Sequence, residues 1–279
     1  MLPNFLICGA SKSGTTTLQE VLCTHPDIFM PKKKRANGRE IHFFNNDKNF
    51  AKGIEWYEKQ FEGWNGEKAI GEKTPSYLCT PCVPERIHKF LPDVKLIFIL
   101  RHPVDRAYSE YWMKRRNGIE DREFEDAYMD YVDEGKYSVH LMRYKKYFSD
   151  DQMLIIILKE LKERPLDVYR RIFRFLGVDE NFIPPNFDKK HYKGGVARSR
   201  MLSKLHKFIR YELELPTLAE AINLINIKGQ MVEFLFGKEA KSYPPMNPDI
   251  RRKLIEFYKP YNEELKSMYP HLDIRHWGE

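Results

Sequence analysis

The sequence of 279 residues has no apolar run that approaches the length of about 18 residues required to cross a membrane. It also lacks the basic segment and the long apolar segment of a secretory signal peptide, because a short apolar stretch at residues 5–9 follows Met1 almost at once. We therefore expect a cytoplasmic protein that does not associate with a membrane.

Cysteine is scarce and confined to the N-terminal third, where four residues stand at Cys8, Cys23, Cys79 and Cys82. The last two have the CxxC spacing of a redox or zinc half-site. However, no second CxxC and no nearby histidine pair would complete a set of four ligands. We expect no metal, and thiols that are free or structural in a reducing compartment.

Neither sign of charge dominates, since 47 lysines and arginines against 40 acids give a formal net charge of +7. This excess suits an anionic ligand, but the charges are too interspersed to indicate nucleic acid as a partner. The densest basic stretch, residues 32–35, is interpreted as a solvated loop in preference to a docking patch for an anionic partner. With 42% hydrophobic residues and no break in composition, the chain is predicted to form one domain over residues 1–279.

Continuous apolar runs, typical of buried strands, alternate along the chain with segments whose apolar residues recur at helical spacing. This alternation predicts the fold class. Strands followed by amphipathic helices favour right-handed crossovers and an α/β fold with a central parallel β-sheet flanked by helices. The predicted strands are residues 4–9, 94–100 and 153–158, and the clearest later helices are residues 166–176 and 248–268.

Residues 9–17, GASKSGTTT, lie between the first predicted strand and the first predicted helix. Backbone amides of such a loop form a cradle for an anion together with the helix N-terminus, and hydroxyl groups and an ammonium group add donors. A Walker A loop would need lysine directly after Gly14, where Thr15 stands instead, so an NTPase is disfavoured. The residues assigned to binding of a phosphorylated ligand here are Lys12, Ser13, Gly14, Thr15, Thr16 and Thr17.

Two phosphate motifs together resemble those of sulfotransferases that use 3′-phosphoadenosine 5′-phosphosulfate (PAPS). Residues 11–17 are similar to their 5′-phosphosulfate loop, and residues 100–109, LRHPVDRAYS, are similar to their 3′-phosphate motif. Three blocks resemble the heparan-sulfate-type branch, which contains N- and 3-O-sulfotransferases: residues 39–44, 53–57 and 71–77. The absence of an anchor and of cysteine beyond Cys82 resembles soluble bacterial-style members. The resemblance implies the sulfotransferase fold, PAPS as co-substrate, PAP as product and no metal.

The resemblance also implies roles for residues of the site. It makes Glu40, which precedes Ile41-His42, the base that takes the acceptor proton. Lys12, by its position in the phosphate loop, is expected to be the cation that neutralises the 5′-phosphate and the bridging oxygen. His42 is a rival base because of its ordinary pKa. Lys73 is expected to be an active-site cation near the acceptor or the sulfate, oriented by Glu72; the alternative is that both residues are structural.

A clamp for the 3′-phosphate is implied in the same way. Arg101 at a strand end and Ser109 on the following helix match the motif, as a guanidinium fork and a hydroxyl would. A third ligand is expected from the C-terminal part, where Arg198 ranks ahead of Lys193 and Lys241.

The acceptor stays open between a hydroxyl and an amine, and between a small molecule and a carbohydrate. Two alternative functions compete with sulfuryl transfer. A P-loop nucleotide or small-molecule kinase would need lysine after Gly14 and an aspartate to hold a metal. A non-catalytic module that binds an anionic polysaccharide is disfavoured because Lys12, Glu40 and Arg101 occur together.

Overall fold

The computed structural model describes residues 1–31, 40–185, 187 and 243–279. The chain divides into two compact units. The first contains Met1–Arg106, Asp133–His191 and Ile255–Glu279, and the second contains Ala107–Val132 and Tyr192–Leu254.

The first unit contains a sheet of five strands in the order β2-β3-β1-β4-β5, and every neighbouring pair is parallel. This arrangement confirms the predicted central parallel sheet, whose first, fourth and fifth strands were recognised from sequence. The strands are β1 Phe5–Gly9, β2 Ile28–Phe29, β3 Ala69–Lys73, β4 Lys95–Leu100 and β5 Met153–Ile157.

Both faces of this sheet are buried, which explains the continuous apolar runs of its strands. Alternate residues of β4 serve opposite faces: Leu96 and Phe98 belong to one buried cluster, and Ile97 and Ile99 belong to the other. The first cluster includes side chains of α4, α7 and the end of the chain, and the second includes side chains of α1, α8 and α9. Helices therefore cover both faces, as predicted.

Ten α-helices lie in the described ranges, and none of them is long and apolar enough to span a membrane. They are α1 Thr15–Leu22, α2 Asp47–Phe50, α3 Ile54–Glu58, α4 Val83–Phe90, α5 Pro103–Arg116, α6 Phe124–Ala127, α7 Tyr137–Lys145, α8 Leu158–Glu163, α9 Pro165–Leu176 and α10 Pro248–Met268. Gly177 ends α9 with φ 78°, the left-handed C-cap expected for glycine.

The described part of the second unit is rich in aromatic contacts. Trp112 on α5 stacks on Tyr243 with ring centroids 5.9 Å apart, and Tyr108 packs edge-on against Phe124 at 4.9 Å. The Tyr108 hydroxyl donates a hydrogen bond to the carbonyl of Pro244 at 3.0 Å. These contacts connect the early part of this unit with residues close to α10.

Strand β3 was not predicted, because Gly71-Glu72-Lys73 interrupts the apolar pattern. All five of its residues are nevertheless buried. Gly71 is required there: a Cβ at this position would lie 2.3 Å from the ring of Phe5 on the neighbouring strand. The strand thus has polar side chains in the interior, and these side chains belong to the candidate site.

Candidate active site

The site lies where the parallel strands of the first unit end. In the sheet, β1 stands between β3 and β4, with Ile7 opposite Lys73 and Gly9 opposite Phe98. The loop that leaves Gly9 is therefore flanked by the carboxyl end of β3 and the carboxyl end of β4. Ligands of open α/β sheets bind at this edge, where the chain switches direction along the sheet.

The phosphate loop, residues 10–14, ends in a helix N-terminus suited to an anion. Gly14 is the N-cap of α1 with φ 92°, and no described side chain caps the helix there. The first amides of α1 are therefore the donors that a phosphate group would use. A side chain at Gly14 would be strained by this φ and would place Cβ 3.0 Å from Leu158.

The predicted phosphate ligands differ in exposure. Ser13 and Thr15 are buried, Lys12, Gly14 and Thr17 are half-buried, and Thr16 is exposed. Lys12 has a left-handed backbone with φ 65°. All six predicted phosphate ligands, residues 12–17, thus lie in the phosphate loop and the first turn of α1.

An ion pair between buried Arg106 and half-buried Glu134 holds the start of the phosphate loop, and sequence reasoning missed it. The backbone amide of Ser11 donates to Oε1 of Glu134 at 2.6 Å. Nη1 of Arg106, whose side chain is fully buried, donates to Oε2 of the same carboxylate at 3.3 Å. Glu134 is distant in sequence and no motif marks it, so only the fold could reveal this contact.

Arg101 contacts the loop from the β4 side. Its Nη1 donates to the carbonyl of Lys12 at 3.2 Å, and its own carbonyl accepts from the Tyr137 hydroxyl at 2.8 Å. The residue predicted to bind the 3′-phosphate is therefore adjacent to the phosphate loop. Ser109 is buried on α5 in the second unit. The predicted third ligand and its rivals, Arg198, Lys193 and Lys241, lie outside the described residues.

The β3 side of the loop carries a charged triad, Lys73–Glu40–His42. Nζ of Lys73 donates to Oε1 of Glu40 at 2.7 Å, and Nε2 of His42 lies 3.2 Å from Oε2 of the same carboxylate. The side chain of Lys73 is 6% exposed, that of Glu40 27% and that of His42 32%. The structure thus brings together the predicted base, its rival and the predicted cation.

Electrostatics in the triad favour an ionised Glu40. Burial alone would raise its pKa, but hydrogen bonds from His42 and Lys73 outweigh burial and lower the pKa below its ordinary value. The bond to Glu40 raises the pKa of His42, although burial opposes it. A carboxylate that stays charged at neutral pH and remains partly open to solvent can accept a proton from an acceptor group.

Glu72, which was expected to orient Lys73, is bonded to hydroxyl groups instead. Its carboxylate is 1% exposed and accepts hydrogen bonds from Tyr77 at 2.7 Å, Thr74 at 2.7 Å and Tyr57 at 3.1 Å. Burial raises its pKa, and the three hydroxyl bonds oppose that effect. Lys73, the next residue of β3, pairs with Glu40.

The cysteines of the described residues are free thiols, as the sequence predicted. Sγ of Cys79 donates to the carbonyl of Ser76 at 3.5 Å, and burial raises the pKa of Cys79 to about 12. Such a thiol is not a reactive nucleophile at neutral pH.

Residues 2–205 match the family model described as a sulfotransferase domain. The mouse heparan sulfate glucosamine 3-O-sulfotransferase 5 is 30% identical over 278 residues, which cover 94% of this chain and 71% of that protein. The mouse bifunctional heparan sulfate N-deacetylase/N-sulfotransferase 4 is 28% identical, and the alignment covers 96% of this chain and 30% of that protein.

A solved structure gives the same result for the fold. The crystal structure of a sulfotransferase from Alicyclobacillus acidocaldarius superposes with a TM-score of 0.71 at 26% identity and covers 100% of both chains. These similarities agree with the resemblance drawn from the two phosphate motifs, and they favour it over the kinase and the binding module.

Proposed function

Because this chain belongs to the sulfotransferase family, we propose that it transfers a sulfuryl group from PAPS to a hydroxyl of a carbohydrate acceptor. Its place in the family makes it a sulfuryl-transferring enzyme. The donor, the acceptor and the residue roles are the proposal. The family match over residues 2–205 draws on both compact units, which supports the view that residues 1–279 act as one sulfotransferase domain.

The observation that carries the proposal is the arrangement at the carboxyl edge of the sheet. A loop suited to a phosphate lies between a partly open carboxylate, Glu40, on one side and a guanidinium, Arg101, on the other. This combination suits the two substrates. The loop and the guanidinium can each bind one of the two separate phosphate groups of the donor, and the carboxylate can take the proton that the acceptor must lose.

In the proposed reaction, an oxygen lone pair of the acceptor attacks sulfur while the acceptor proton passes to a carboxylate oxygen of Glu40. The bond between sulfur and the bridging oxygen breaks, and its electron pair remains on the 5′-phosphate of PAP. Lys12 and the amides of α1 stabilise the charge that develops there. Protonated Glu40 then releases its proton to solvent, and the products are a sulfate ester and PAP.

Lys73 and His42 support this step through Glu40. Lys73 holds Oε1 and His42 holds Oε2, so the carboxylate has a fixed orientation in the ground state. Both partners stabilise the ionised form, which keeps Glu40 ready to accept a proton at neutral pH. His42 is partly exposed and could itself take the proton, which makes it the competing base.

The acceptor class rests on the relatives, whose names specify heparan sulfate glucosamine as the substrate. We extend only the chemical class to this chain, namely a hydroxyl of an amino-sugar-containing oligosaccharide. The sequence alone left the acceptor open between a small molecule and a carbohydrate. A direct competition between the two acceptor types decides this question.

The test has two parts. In a thermal-shift assay, PAP stabilises the wild-type protein, whereas ATP with Mg²⁺ does not. With labelled PAPS, label passes to a glucosamine-containing oligosaccharide and not to a phenolic small molecule. Stabilisation by ATP with Mg²⁺ but not by PAP would refute the donor, and labelling of the phenol alone would refute the acceptor class.

A further inference from the structure

A buried carboxylate, Glu72, directly precedes the Lys73 that pairs with the proposed base, and it takes no part in the proposed proton transfer. Glu72 is enclosed by the hydroxyl groups of Tyr57, Thr74 and Tyr77, all of which are buried. Each of these hydroxyl groups donates to Glu72, and a hydroxyl has a single hydrogen, so only its lone pairs remain for other partners. The orientation of all three hydroxyl groups is thereby fixed.

Two of these hydroxyl groups then present their lone pairs to the segment that carries the triad. The hydroxyl of Tyr77 accepts from the amide of Phe43 at 3.0 Å and from that of Phe44 at 3.4 Å. The hydroxyl of Thr74 accepts from the amide of His42 at 3.4 Å. The chain of donors thus runs in one direction, from the amides of residues 42–44 through the hydroxyls to Glu72.

The backbone of this segment needs such support. His42 has φ 54°, a left-handed conformation that costs free energy for a residue with a side chain. In this conformation its ring reaches Oε2 of Glu40. Loss of the bonds at residues 42–44 would let His42 relax and would loosen its contact with Glu40.

We propose that Glu72 is a positioning residue, which acts through the hydroxyls of Tyr77 and Thr74 to hold residues 42–44 and so to keep His42 against Glu40. The effect on catalysis rests on the proposed function of Glu40. The effect on the His42–Glu40 contact does not.

The chain offers a matched pair of variants to test this role. Tyr77→Phe and Tyr57→Phe each remove one buried hydroxyl that donates to Oε1 of Glu72. Only Tyr77 also accepts from amides of residues 43 and 44. If Glu72 acts through the amides, the two variants behave differently although each takes one donor from the same oxygen.

The first readout is the titration of His42 by NMR, with its resonance identified by its loss in His42→Asn. Glu40 and Glu72 raise the pKa of His42, Lys73 binds the other oxygen of Glu40, and all three residues remain in the two variants. In Tyr77→Phe we expect this pKa to fall towards the ordinary value of about 6.5, whereas in Tyr57→Phe it stays raised. This measurement needs no turnover, so it tests the positioning even if no acceptor reacts.

The second readout is activity with saturating PAPS. Tyr77→Phe is expected to lose about 10- to 100-fold in kcat, the cost of a small misplacement of a reacting group, with PAP affinity unchanged. Tyr57→Phe is expected to keep kcat near wild type. Thr74→Val carries the same test through the amide of His42 if Tyr77→Phe does not fold. The proposal is overturned if His42 titrates alike in the folded Tyr77 or Thr74 variant and in Tyr57→Phe.

Discussion

The two flanks of the phosphate loop contain different kinds of polar contact. On the β3 flank, Lys73 faces a carboxylate, Glu40, which also contacts an imidazole. On the β4 flank, Arg101 donates to a backbone carbonyl of the loop itself. The first arrangement fixes the charge and orientation of a group that can exchange a proton, whereas the second holds a guanidinium beside the loop. We infer that the β3 flank mainly sets kcat and the β4 flank mainly sets nucleotide affinity.

The sharpest way to break this division is Glu40→Gln. Glutamine keeps the size of the side chain and part of its hydrogen bonding but cannot accept the acceptor proton. We expect kcat to fall by about 10²- to 10⁴-fold, the usual contribution of a positioned base, while PAP affinity measured by calorimetry stays near wild type. Glu85→Gln, on the exposed side of α4, is the surface control. If Glu40→Gln keeps a kcat near wild type while His42→Ala is folded but inactive, the base is His42.

The loop between the flanks should affect both quantities. Lys12→Ala removes the ammonium proposed to stabilise the leaving phosphate, so we expect kcat to fall by about 10²- to 10³-fold and nucleotide binding to weaken as well. Single-turnover rates and calorimetry with PAP measure the two effects separately. Lys48→Ala, an exposed lysine of α2, serves as the control for loss of one positive charge. Near-normal kcat in Lys12→Ala would contradict the role given to the loop.

The β4 flank is tested by Arg101→Ala, with a smaller effect that falls on binding. We expect PAP affinity to drop about tenfold or more, which corresponds to about 1.4 kcal/mol. Since Arg101 also holds the carbonyl of Lys12, adenosine 5′-monophosphate will bind more weakly too. The informative quantity is therefore the ratio of the two affinities, which should shift against PAP.

Arg101→Lys refines the same comparison. Lysine keeps the charge but loses the planar fork, so it should recover part of the preference for PAP. If the ratio of PAP affinity to adenosine 5′-monophosphate affinity is unchanged in Arg101→Ala, the 3′-phosphate does not bind at the β4 flank.

The sequence predicted these two flanks unequally, for physical reasons. Strand β4 and the start of α5 could be predicted from sequence because a buried parallel strand is apolar throughout and Pro103 marks the helix start. Strand β3 was not, because Glu72 is buried among hydroxyl groups that lie in other parts of the chain or around a turn. Lys12 was assigned from its place in the phosphate loop and Glu40 through the family resemblance, and no local pattern could have shown that Glu40 bridges Lys73 and His42.

Glu134 illustrates the same limit. Its bond to the amide of Ser11 joins residues 123 positions apart, and its partner Arg106 lies in a motif that was noted for other reasons. Contacts of this kind depend on how helices and strands pack, and neither spacing nor composition encodes them. The local motifs therefore identified the groups that would touch substrate, whereas the groups that position them required the fold.

The smallest expected effect concerns the pH dependence of stability on the β3 flank. The pKa of His42 is raised in the folded protein, so its contact with Glu40 contributes stability fully below its unfolded pKa of about 6.5. That contribution is lost as pH rises through the folded pKa. The pKa of Glu40 is lowered, so its contribution is present above its unfolded pKa and is lost as pH falls through the folded value. The two effects overlap in mildly acidic solution.

Comparison of wild type with His42→Gln across pH isolates the histidine. We expect the variant to be less stable by at most about 1 kcal/mol, the upper range for partly exposed ion pairs, at pH values between the two titrations. The difference in Tm should shrink as pH rises through the folded pKa of His42, because the ring is then neutral in both the folded and the unfolded chain. The same comparison can be made between Glu40→Gln and the double variant Glu40→Gln/His42→Gln. The difference in Tm between these two should not depend on pH in this way, since a glutamine in place of Glu40 offers no charge to pair with. A difference between wild type and His42→Gln that is constant from acidic to alkaline pH would show that His42 stabilises the flank by packing, and the charge-based comparison of the two flanks would then rest on Lys73 and Glu40 alone.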